Sequence, residues 1–493
     1  MKPLTFVTSY SPGPSFEKTL TSLTRLGRFD RILIVSQEPV PFVTSGCRVL
    51  QTGPLPSQET LHLILGEVRT EYLLLLSEPQ PISIEPEGLE RILEVADSTR
   101  AGLVYSDFYD ESKRGKTLHP LNDYQPGSVR DDFDFGSMIL WSIPAMRKAL
   151  KKCGPIPAIQ SAGLYDLRLK VSIDHLLRHL KEPLYTATRT EEPSGLEPLF
   201  AYVDPRHRAV QKEMETVFTD YLKEIGAYVP PGHLREIEKA AEPFAVEASV
   251  VIPVLNRKET IAEAAQSALS QETDFPFNII VVDNHSTDGT TALLSDLAKR
   301  YPQLKHIVPE RTDLGIGGCW NEALRHEACG RYAVQLDSDD LYSSSHTLQK
   351  MVDVLRQGNV AMAIGSYTLV NSRLQEIPPG LVDHREWTDE NGHNNALRIN
   401  GLGAPRAFNT ALMRKIGFLN VSYGEDYAAA LRICREYRIG RIYEDLYRCR
   451  RWSGNTDAAL TIEEANRNNA FKDRIRTDEI LARQNMVRER SLE

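Results

Sequence analysis

Cysteine is scarce in this chain, long apolar runs are missing, and basic residues do not outnumber acidic ones. Each shortage closes a class of function. The six cysteines (Cys47, Cys153, Cys319, Cys329, Cys434 and Cys449) are scattered, with no C-x-x-C pair. That argues against a disulfide framework or a zinc site and suits reduced thiols. Apolar runs such as Tyr72-Leu73-Leu74-Leu75-Leu76 fall far short of the ~20 residues that a membrane span needs. Met1-Lys2-Pro3 leads directly into strand-like Leu4-Thr5-Phe6-Val7, which is not a signal peptide. A soluble, cytoplasmic protein is expected, with peripheral membrane association and homo-oligomerisation left open. Lys and Arg total 58 against 67 Asp and Glu, a formal charge of −9, which argues against nucleic acid as a partner, because phosphate backbones demand a basic surface. What is present is ordinary: 41% hydrophobic and 25% charged residues in 493, enough for two or three domains.

The informative stretch runs from Ser249 to Tyr342. Its centre is Leu336-Asp337-Ser338-Asp339-Asp340, three carboxylates directly after the apolar run Tyr332-Ala333-Val334-Gln335-Leu336. Such acids repel one another by roughly 1 kcal/mol or more per close pair at surface dielectric. A divalent cation such as Mg2+ or Mn2+, which takes few protein carboxylates and completes its shell with water and phosphate, would relieve that repulsion. An acidic helix start is the plainer alternative. Upstream, Ser249-Val250-Val251-Ile252-Pro253 reads as a buried strand, followed by Ile261, Ala264, Ala265, Ala268 and Leu269 at helical spacing. A second strand, Ile279-Ile280-Val281-Val282, runs into Asp283-Asn284-His285-Ser286-Thr287-Asp288-Gly289-Thr290. Gly315-Ile316-Gly317-Gly318 then precedes Trp320-Asn321-Glu322-Ala323-Leu324. Strand and helix alternate as in βαβ units on a parallel sheet, so polar residues end successive strands along one edge.

The series VVIPVLNR, VVDNHSTDGT, GIGGCWNEAL and QLDSDD resembles the nucleotide-sugar half of the family 2 glycosyltransferases, enzymes of GT-A fold. By that resemblance, Pro253 and its neighbours, Asn256 included, line the nucleotide. Asp283 hydrogen-bonds the base. Asp337 and Asp339 hold the ribose and diphosphate side, and Asp339 and Asp340 ligate Mn2+ or Mg2+. Many members carry Arg where this chain has Trp320, so one contact is in doubt. Tyr423-Gly424-Glu425-Asp426-Tyr427 resembles the family's E-D motif and opens a helical run. An inverting transfer needs one carboxylate to take the acceptor hydroxyl's proton. The resemblance makes Asp426 that general base, with Glu425 orienting it or the acceptor. Arg448-Cys449-Arg450-Arg451-Trp452 resembles Q-x-x-R-W, with Arg for Gln. Arg451 and Trp452 are then a phosphate clamp and stacking platform, or else a buried structural pair. Between these motifs, the run from Asn394 to Arg406 is either a sugar-facing segment or a surface loop.

Residues 1–190 repeat the pattern. Arg31-Ile32-Leu33-Ile34-Val35 matches the strand ending at Val282, and Glu71 through Leu76 matches Arg331 through Leu336. Ala145-Met146-Arg147-Lys148 matches Leu412-Met413-Arg414-Lys415, and Glu182-Pro183-Leu184-Tyr185 matches Glu444-Asp445-Leu446-Tyr447. The offset is 247 at Val35 and Val282, 260 at Glu71 and Arg331, 267 at Ala145 and Leu412, and 262 at Tyr185 and Tyr447, larger after the first match as loops lengthen. In the first copy Ser77-Glu78-Pro79-Gln80 replaces the Asp cluster, and Gly163-Leu164-Tyr165 replaces the E-D motif. Asp131, Asp132 and Asp134 read as a solvated turn.

The expected architecture is therefore α/β, two GT-A domains in tandem with the first degenerate. A degenerate, non-catalytic domain over 1–190 is followed by a helical connector over 191–246. The connector holds a helix from Asp204-Pro205 with Val210, Met214, Val217, Phe218, Tyr221 and Leu222 in one stripe, and a second helix over His233–Ala241. A catalytic domain spans 247–455 and a docking or fraying helical tail 456–493. The expected activity is metal-dependent inverting transfer from a nucleotide-diphosphate sugar to a glycan or glycoconjugate hydroxyl. Two other classes stay open: a sugar-nucleotide-binding protein without turnover, and a sugar nucleotidyltransferase. An intact Asp426 speaks against the first. The lack of glycine in Val254-Leu255-Asn256-Arg257-Lys258 speaks against the second.

Overall fold

The computed structural model describes residues 4–41, 46–77, 81–113, 115–188, 207–237, 243–452, 454–455 and 460–490. They divide into two compact units, one built from residues up to 188 with 209–228 and 460–490, the other from 229–455.

The first unit is built on nine strands: β1 (Leu4–Ser9), β2 (Phe29–Ser36), β3 (Cys47–Gln51), β4 (Tyr72–Leu76), β5 (Ile82–Ile84), β6 (Leu103–Ser112), β7 (Gly115–His119), β8 (Met138–Ser142) and β9 (Leu177–Thr188). The second has β10 (Ala248–Val254), β11 (Phe277–Asp283), β12 (Leu304–Ile307), β13 (Tyr332–Gln335), β14 (Leu341–Tyr342), β15 (Val360–Val370), β16 (Glu376–Val382), β17 (Arg406–Asn409) and β18 (Arg438–Arg450). The first sheet runs β3-β2-β1-β4-β8-β6-β9-β5 with β7 on β6; the second runs β12-β11-β10-β13-β17-β15-β18-β14 with β16 on β15. Adding nine to every label of the first order gives the second. Parallel and antiparallel pairs correspond as well: β1 is parallel to β2 and β4, β10 to β11 and β13, while β4–β8 and β13–β17 are antiparallel. Three of the four matched segments in the sequence lie in corresponding strands, and the fourth, 145–148 with 412–415, lies in the helices that follow β8 and β17.

In the second unit the apolar runs behave as parallel strands covered on both faces must. Val250, Ile252, Ile279, Val281 and Val334 are fully buried, and the helix Ile261–Leu269 turns Ile261, Ala264, Ala265 and Ala268 onto them. Register brings Val254 opposite Asp283 and Val251 opposite Gln335. The carboxyl ends of β10, β11 and β13 therefore line one edge, where ligands of open α/β sheets bind.

Three boundaries differ from expectation. The supposed connector contains a helix, Arg208–Glu224, whose Val217, Phe218, Tyr221 and Leu222 are buried and belong to the first unit. Its stripe is a packing face of that unit rather than a spacer surface. Asp204-Pro205 lies outside the described residues. The helix expected over His233–Ala241 is replaced, in its described part, by a 3-10 turn, Pro231–His233, and a bridge from Arg235 to Tyr437. The C-terminal tail is one 29-residue helix, Ile462–Arg490, and it too belongs to the first unit. Its inner face is charged. Asp473 accepts from Arg476 (2.8 Å) and Ser128 (2.9 Å), and Arg483 donates to Glu479 (2.9 Å), all from buried positions. Paired charges can be buried where lone ones cannot. A Cβ at Gly127 would collide with the Asp473 carbonyl, so glycine permits the close approach.

Candidate active site

Each strand edge contributes through a turn that its sequence dictates. After β13 the chain turns tightly, with the Asp340 amide donating to the Asp337 carbonyl (3.2 Å). The Asp337 amide donates to the Tyr447 hydroxyl on β18 (2.9 Å). Both Asp337 carboxylate oxygens accept from Gln335 Nε2 at 3.0 Å. Asp339 Oδ2 accepts from Trp452 Nε1 (2.9 Å) and Asn455 Nδ2 (3.3 Å), with Arg257 Nε at 3.8 Å. No hydrogen bond from the described residues reaches its Oδ1. Asp340, expected beside Asp339 as a cation ligand, is placed differently. It is buried and turned inward, accepting from the Arg450 amide at 2.7 Å, so it pins β18. Burial first, then the charges of Asp339 and Asp337, push Asp340 well above the usual carboxylate range. Burial followed by Asp339 and Asp426 likewise raises Asp337, against the opposing help of Gln335 and Arg406.

The E-D pair opens the helix Glu425–Glu436, whose Ncap, Gly424, holds the left-handed φ of 79° that the sharp entry needs. Asp426 is a third exposed and pairs with Arg406, Oδ2 to Nη2 at 2.7 Å. Arg406 leads β17. Because Val334 lies opposite Ala407, the next cross-strand neighbours are Gln335 and Arg406, and Arg406 Nη1 donates to Gln335 Oε1 at 3.1 Å. A continuous chain results: Asp426, Arg406, Gln335, Asp337. Burial works against charge on Arg406, yet Asp426, Asp337 and Glu425 more than compensate and raise its pKa. Glu425 is buried with no hydrogen-bond partner for Oε2 among the described residues, and burial followed by the neighbouring Asp426 pushes it up to about 8.

The other expected residues fall into two groups. Trp452 reaches the cluster through Asp339, and Arg257, which sequence reasoning missed, lies over its ring at 5.9 Å and donates to the Gly454 carbonyl at 2.9 Å. Arg451 is half-buried, its amide bonded to the Val370 carbonyl (2.7 Å). Asn256, at a left-handed φ of 53°, accepts from the Thr287 amide (2.8 Å) and braces the loop after β11. Pro253 sits half-buried opposite Val282. Asp283, expected to meet the base, is fully buried with both oxygens engaged: Ser286 N at 3.0 Å, Thr291 Oγ1 at 2.5 Å and His306 Nε2 at 3.4 Å. Burial alone would raise Asp283; the Ser286 and Thr291 bonds outweigh it and hold it low. In this arrangement it shapes the loop. Trp320 is a core residue, packed on Phe408 and Phe418 at 5.7 and 5.2 Å between ring centroids. The glycines before it serve close packing, since a Cβ at Gly317 would strike the Leu419 carbonyl. Most of the run from Asn394 is interior as well: Asn394 bonds the Val229 backbone in both directions, at 3.1 and 3.0 Å, and Arg398 bonds Asn395 at 2.8 Å. From that run, Arg406 joins the cluster.

Residues 249–417 match the family model described as Glycosyl transferase family 2. The chain carries a family 2 glycosyltransferase domain. The chain is 33% identical over 107 residues to an uncharacterized protein of Mycobacterium tuberculosis, covering 22% of this chain and 31% of that one. Over 128 residues it is 32% identical to the poly(ribitol-phosphate) beta-glucosyltransferase of Bacillus spizizenii, covering 25% of this chain and 20% of that one. The chain thus spans about a third or less of the length of these relatives. A crystal structure of S. aureus TarS residues 1–349 with UDP-GlcNAc superposes with a TM-score of 0.36 at 22% identity, covering 48% of this chain and 72% of that one.

The first unit offers a direct contrast. The helices Gly163–Asp174 and Glu425–Glu436 occupy the same place in the two folds and are both twelve residues long. Tyr165 and Tyr427, both buried, each donate a hydroxyl to a backbone carbonyl, of Val129 and Ala396. That match puts Gly163 at the position of Glu425 and Leu164 at that of Asp426. A Cβ on Gly163 would collide with the Pro56 carbonyl, so no glutamate fits there. The counterpart of the Asp cluster, Ser77-Glu78-Pro79-Gln80, falls outside the described residues beyond Ser77. Asp134, in the acidic turn, bonds His119 (3.3 Å) and the Gly136 amide (2.7 Å). No helix among the described residues is long and apolar enough to cross a membrane.

Proposed function

We propose that the second unit transfers a sugar from a nucleotide-diphosphate sugar to a hydroxyl of a glycan or glycoconjugate, with inversion, and depends on Mn2+ or Mg2+. The observation that carries this reading is the unbroken chain from Asp426 through Arg406 and Gln335 to Asp337, which ties an acceptor-side carboxylate to a donor-side one at a single sheet edge. A cation of this kind is held by one or two carboxylates plus substrate phosphates and water. The chemistry of Asp337 and Asp339 fits that demand, although no group of three or more ligating side chains converges among the described residues. Bound there, the ion supplies neutralisation of charge on the departing diphosphate.

The chain's own residues do the rest. Asp426 accepts the proton of the acceptor hydroxyl as the oxygen forms its bond to the anomeric carbon. The bond from that carbon to the diphosphate oxygen breaks on the opposite face, and nucleoside diphosphate leaves with the bonding pair. Trp452 and Arg257 orient Asp339, and Arg451 is the proposed phosphate clamp. The first unit is a non-catalytic copy, consistent with Leu164 where the base would stand.

The test is nucleoside diphosphate release from a panel of nucleotide sugars, with Mn2+ and with EDTA. One donor should be consumed with Mn2+ alone. Absence of release from every donor, in the presence of both ions and a range of sugar acceptors, would overturn the reading.

A further inference from the structure

Arg406, the last residue of the run from Asn394, stands where the two halves of the proposed reaction meet. We infer that Arg406 is a positioning residue: it orients Asp426 for proton acceptance and, through Gln335, locks that orientation to the carboxylate of Asp337. The inference rests on the reading of Asp426 as base and deepens it by saying how the base is held.

Three observations carry it. Arg406 spends two different nitrogens on two different partners, Nη2 on Asp426 Oδ2 at 2.7 Å and Nη1 on Gln335 Oε1 at 3.1 Å. A planar guanidinium with fixed donor directions is suited to holding two acceptors at a set angle; an ammonium is not. Gln335 in turn divides its amide: the oxygen accepts from Arg406 and the nitrogen donates to both oxygens of Asp337 at 3.0 Å. That polarity fixes the amide's direction and makes the chain one-way. Finally, β13 and β17 supply Gln335 and Arg406 as cross-strand neighbours on a buried sheet, so the link is rigid where a loop-borne one would not be.

Among the described residues, the charged and titratable groups acting on Asp426 include Arg406, Glu425 and Asp337. Removing the guanidinium takes away the cation paired with Asp426 at 2.7 Å and leaves the acidic Asp337 and Glu425 beside it. Its proton affinity should rise, and its aim should be lost. Donor binding depends on Asp337 and Asp339 and should change much less.

The test measures kcat and KM for donor and acceptor, across pH, in the wild type and in Arg406→Met, Arg406→Lys, Asp426→Asn and the double variant Arg406→Met/Asp426→Asn. Arg406→Met should lose about 30-fold or more in kcat, with donor KM within about three-fold, and the acidic limb of its kcat profile should move up by about one unit. Arg406→Lys should restore the position of the acidic limb, because charge returns, yet only part of kcat, because the fork geometry does not. If Arg406 acts through Asp426, the double variant is no slower than Asp426→Asn. Losses that multiply in the double variant, or an Arg406→Met enzyme with unchanged kcat and pH profile, overturn the inference while leaving the proposed function standing. No turnover by the wild type overturns both. Thermal melting of each variant separates misfolding from a kinetic loss, and a melted Arg406→Met leaves the decision to Arg406→Lys, whose wild-type kcat would also refute the role.

Discussion

Replacing Asp426 by Asn isolates the proposed proton acceptor with almost no change of shape. The amide cannot take a proton from the acceptor hydroxyl, and a positioned general base contributes about 10²- to 10⁴-fold. That is a barrier increase of about 3–5 kcal/mol. A second effect follows from the ion pair with Arg406 at 2.7 Å. Asp426 is a third exposed, so the pair is partly screened, and its loss should cost about 1 kcal/mol of stability. Donor affinity should hold or improve slightly, because the like charge of Asp426 is one of the influences acting against ionised Asp337. The assay is steady-state release of nucleoside diphosphate, paired with donor titration and thermal melting. Turnover should fall at least about 100-fold, while the donor still raises the melting temperature as it does in the wild type. Turnover within a factor of about three of the wild type would refute the base assignment, and loss of donor binding would move Asp426 to the donor side.

Four further outcomes are expected. Asp473→Ala removes a buried carboxylate shared by Arg476 and Arg130 of the first unit, the latter keeping Asp132, and should destabilise that unit by about 3–5 kcal/mol; a melting shift under about 2 °C would contradict the buried pairing. His119 is held at about 9: burial would lower it, but bonds to Asp110 (2.6 Å) and Asp134 outweigh that. A raised folded value contributes stability below the ordinary 6.5 and loses it as pH climbs through 9. His119→Asn should therefore remove up to about 3 kcal/mol of pH-dependent stability across that window, seen as converging melting curves; parallel curves would refute it. For Glu425, held at about 8 by burial and Asp426, the charged form is disfavoured. Its stability contribution is full below the ordinary 4.5 and falls as pH rises through 8. Glu425→Gln should gain melting temperature relative to the wild type as pH rises from 5 to 9, and a constant gap would sink the assignment. Trp452→Phe, which removes the 2.9 Å bond to Asp339, should weaken Mn2+-dependent donor binding by about 10-fold or more; unchanged affinity would show that the indole does not hold Asp339.

How much of this was legible beforehand depends on whether a feature is local. The strand runs ending at Pro253, Asp283 and Leu336 were readable because parallel strands are apolar throughout and end on polar turns. The duplication was readable from four matched segments, and the shared strand order bears it out. The contacts of Arg406 with Gln335 were not readable: 71 positions separate them, and only the antiparallel register of β13 and β17 makes them neighbours. The inward turn of Asp340 was hidden for a similar reason, since its partner is a backbone amide on β18, 110 positions away. The membership of the last helix escaped because its buried residues are Asp473, Arg476, Glu479 and Arg483 with a lone apolar Ile480, and hydrophobic periodicity is blind to charges buried in pairs. Arg257 had a local signal, its place directly after the first strand's turn, but its role needs Trp452 and Asp339 to be brought to it.

The most direct measurement is calorimetric titration of nucleoside diphosphates (UDP, GDP, ADP and CDP) into the wild type and Asp339→Asn, each with Mn2+ and with EDTA. One diphosphate should bind the wild type at least about ten-fold more tightly with Mn2+ than with EDTA, and Asp339→Asn should erase that difference. Equal affinities in all four conditions would contradict the claim that the acids after β13 hold a cation for the departing diphosphate.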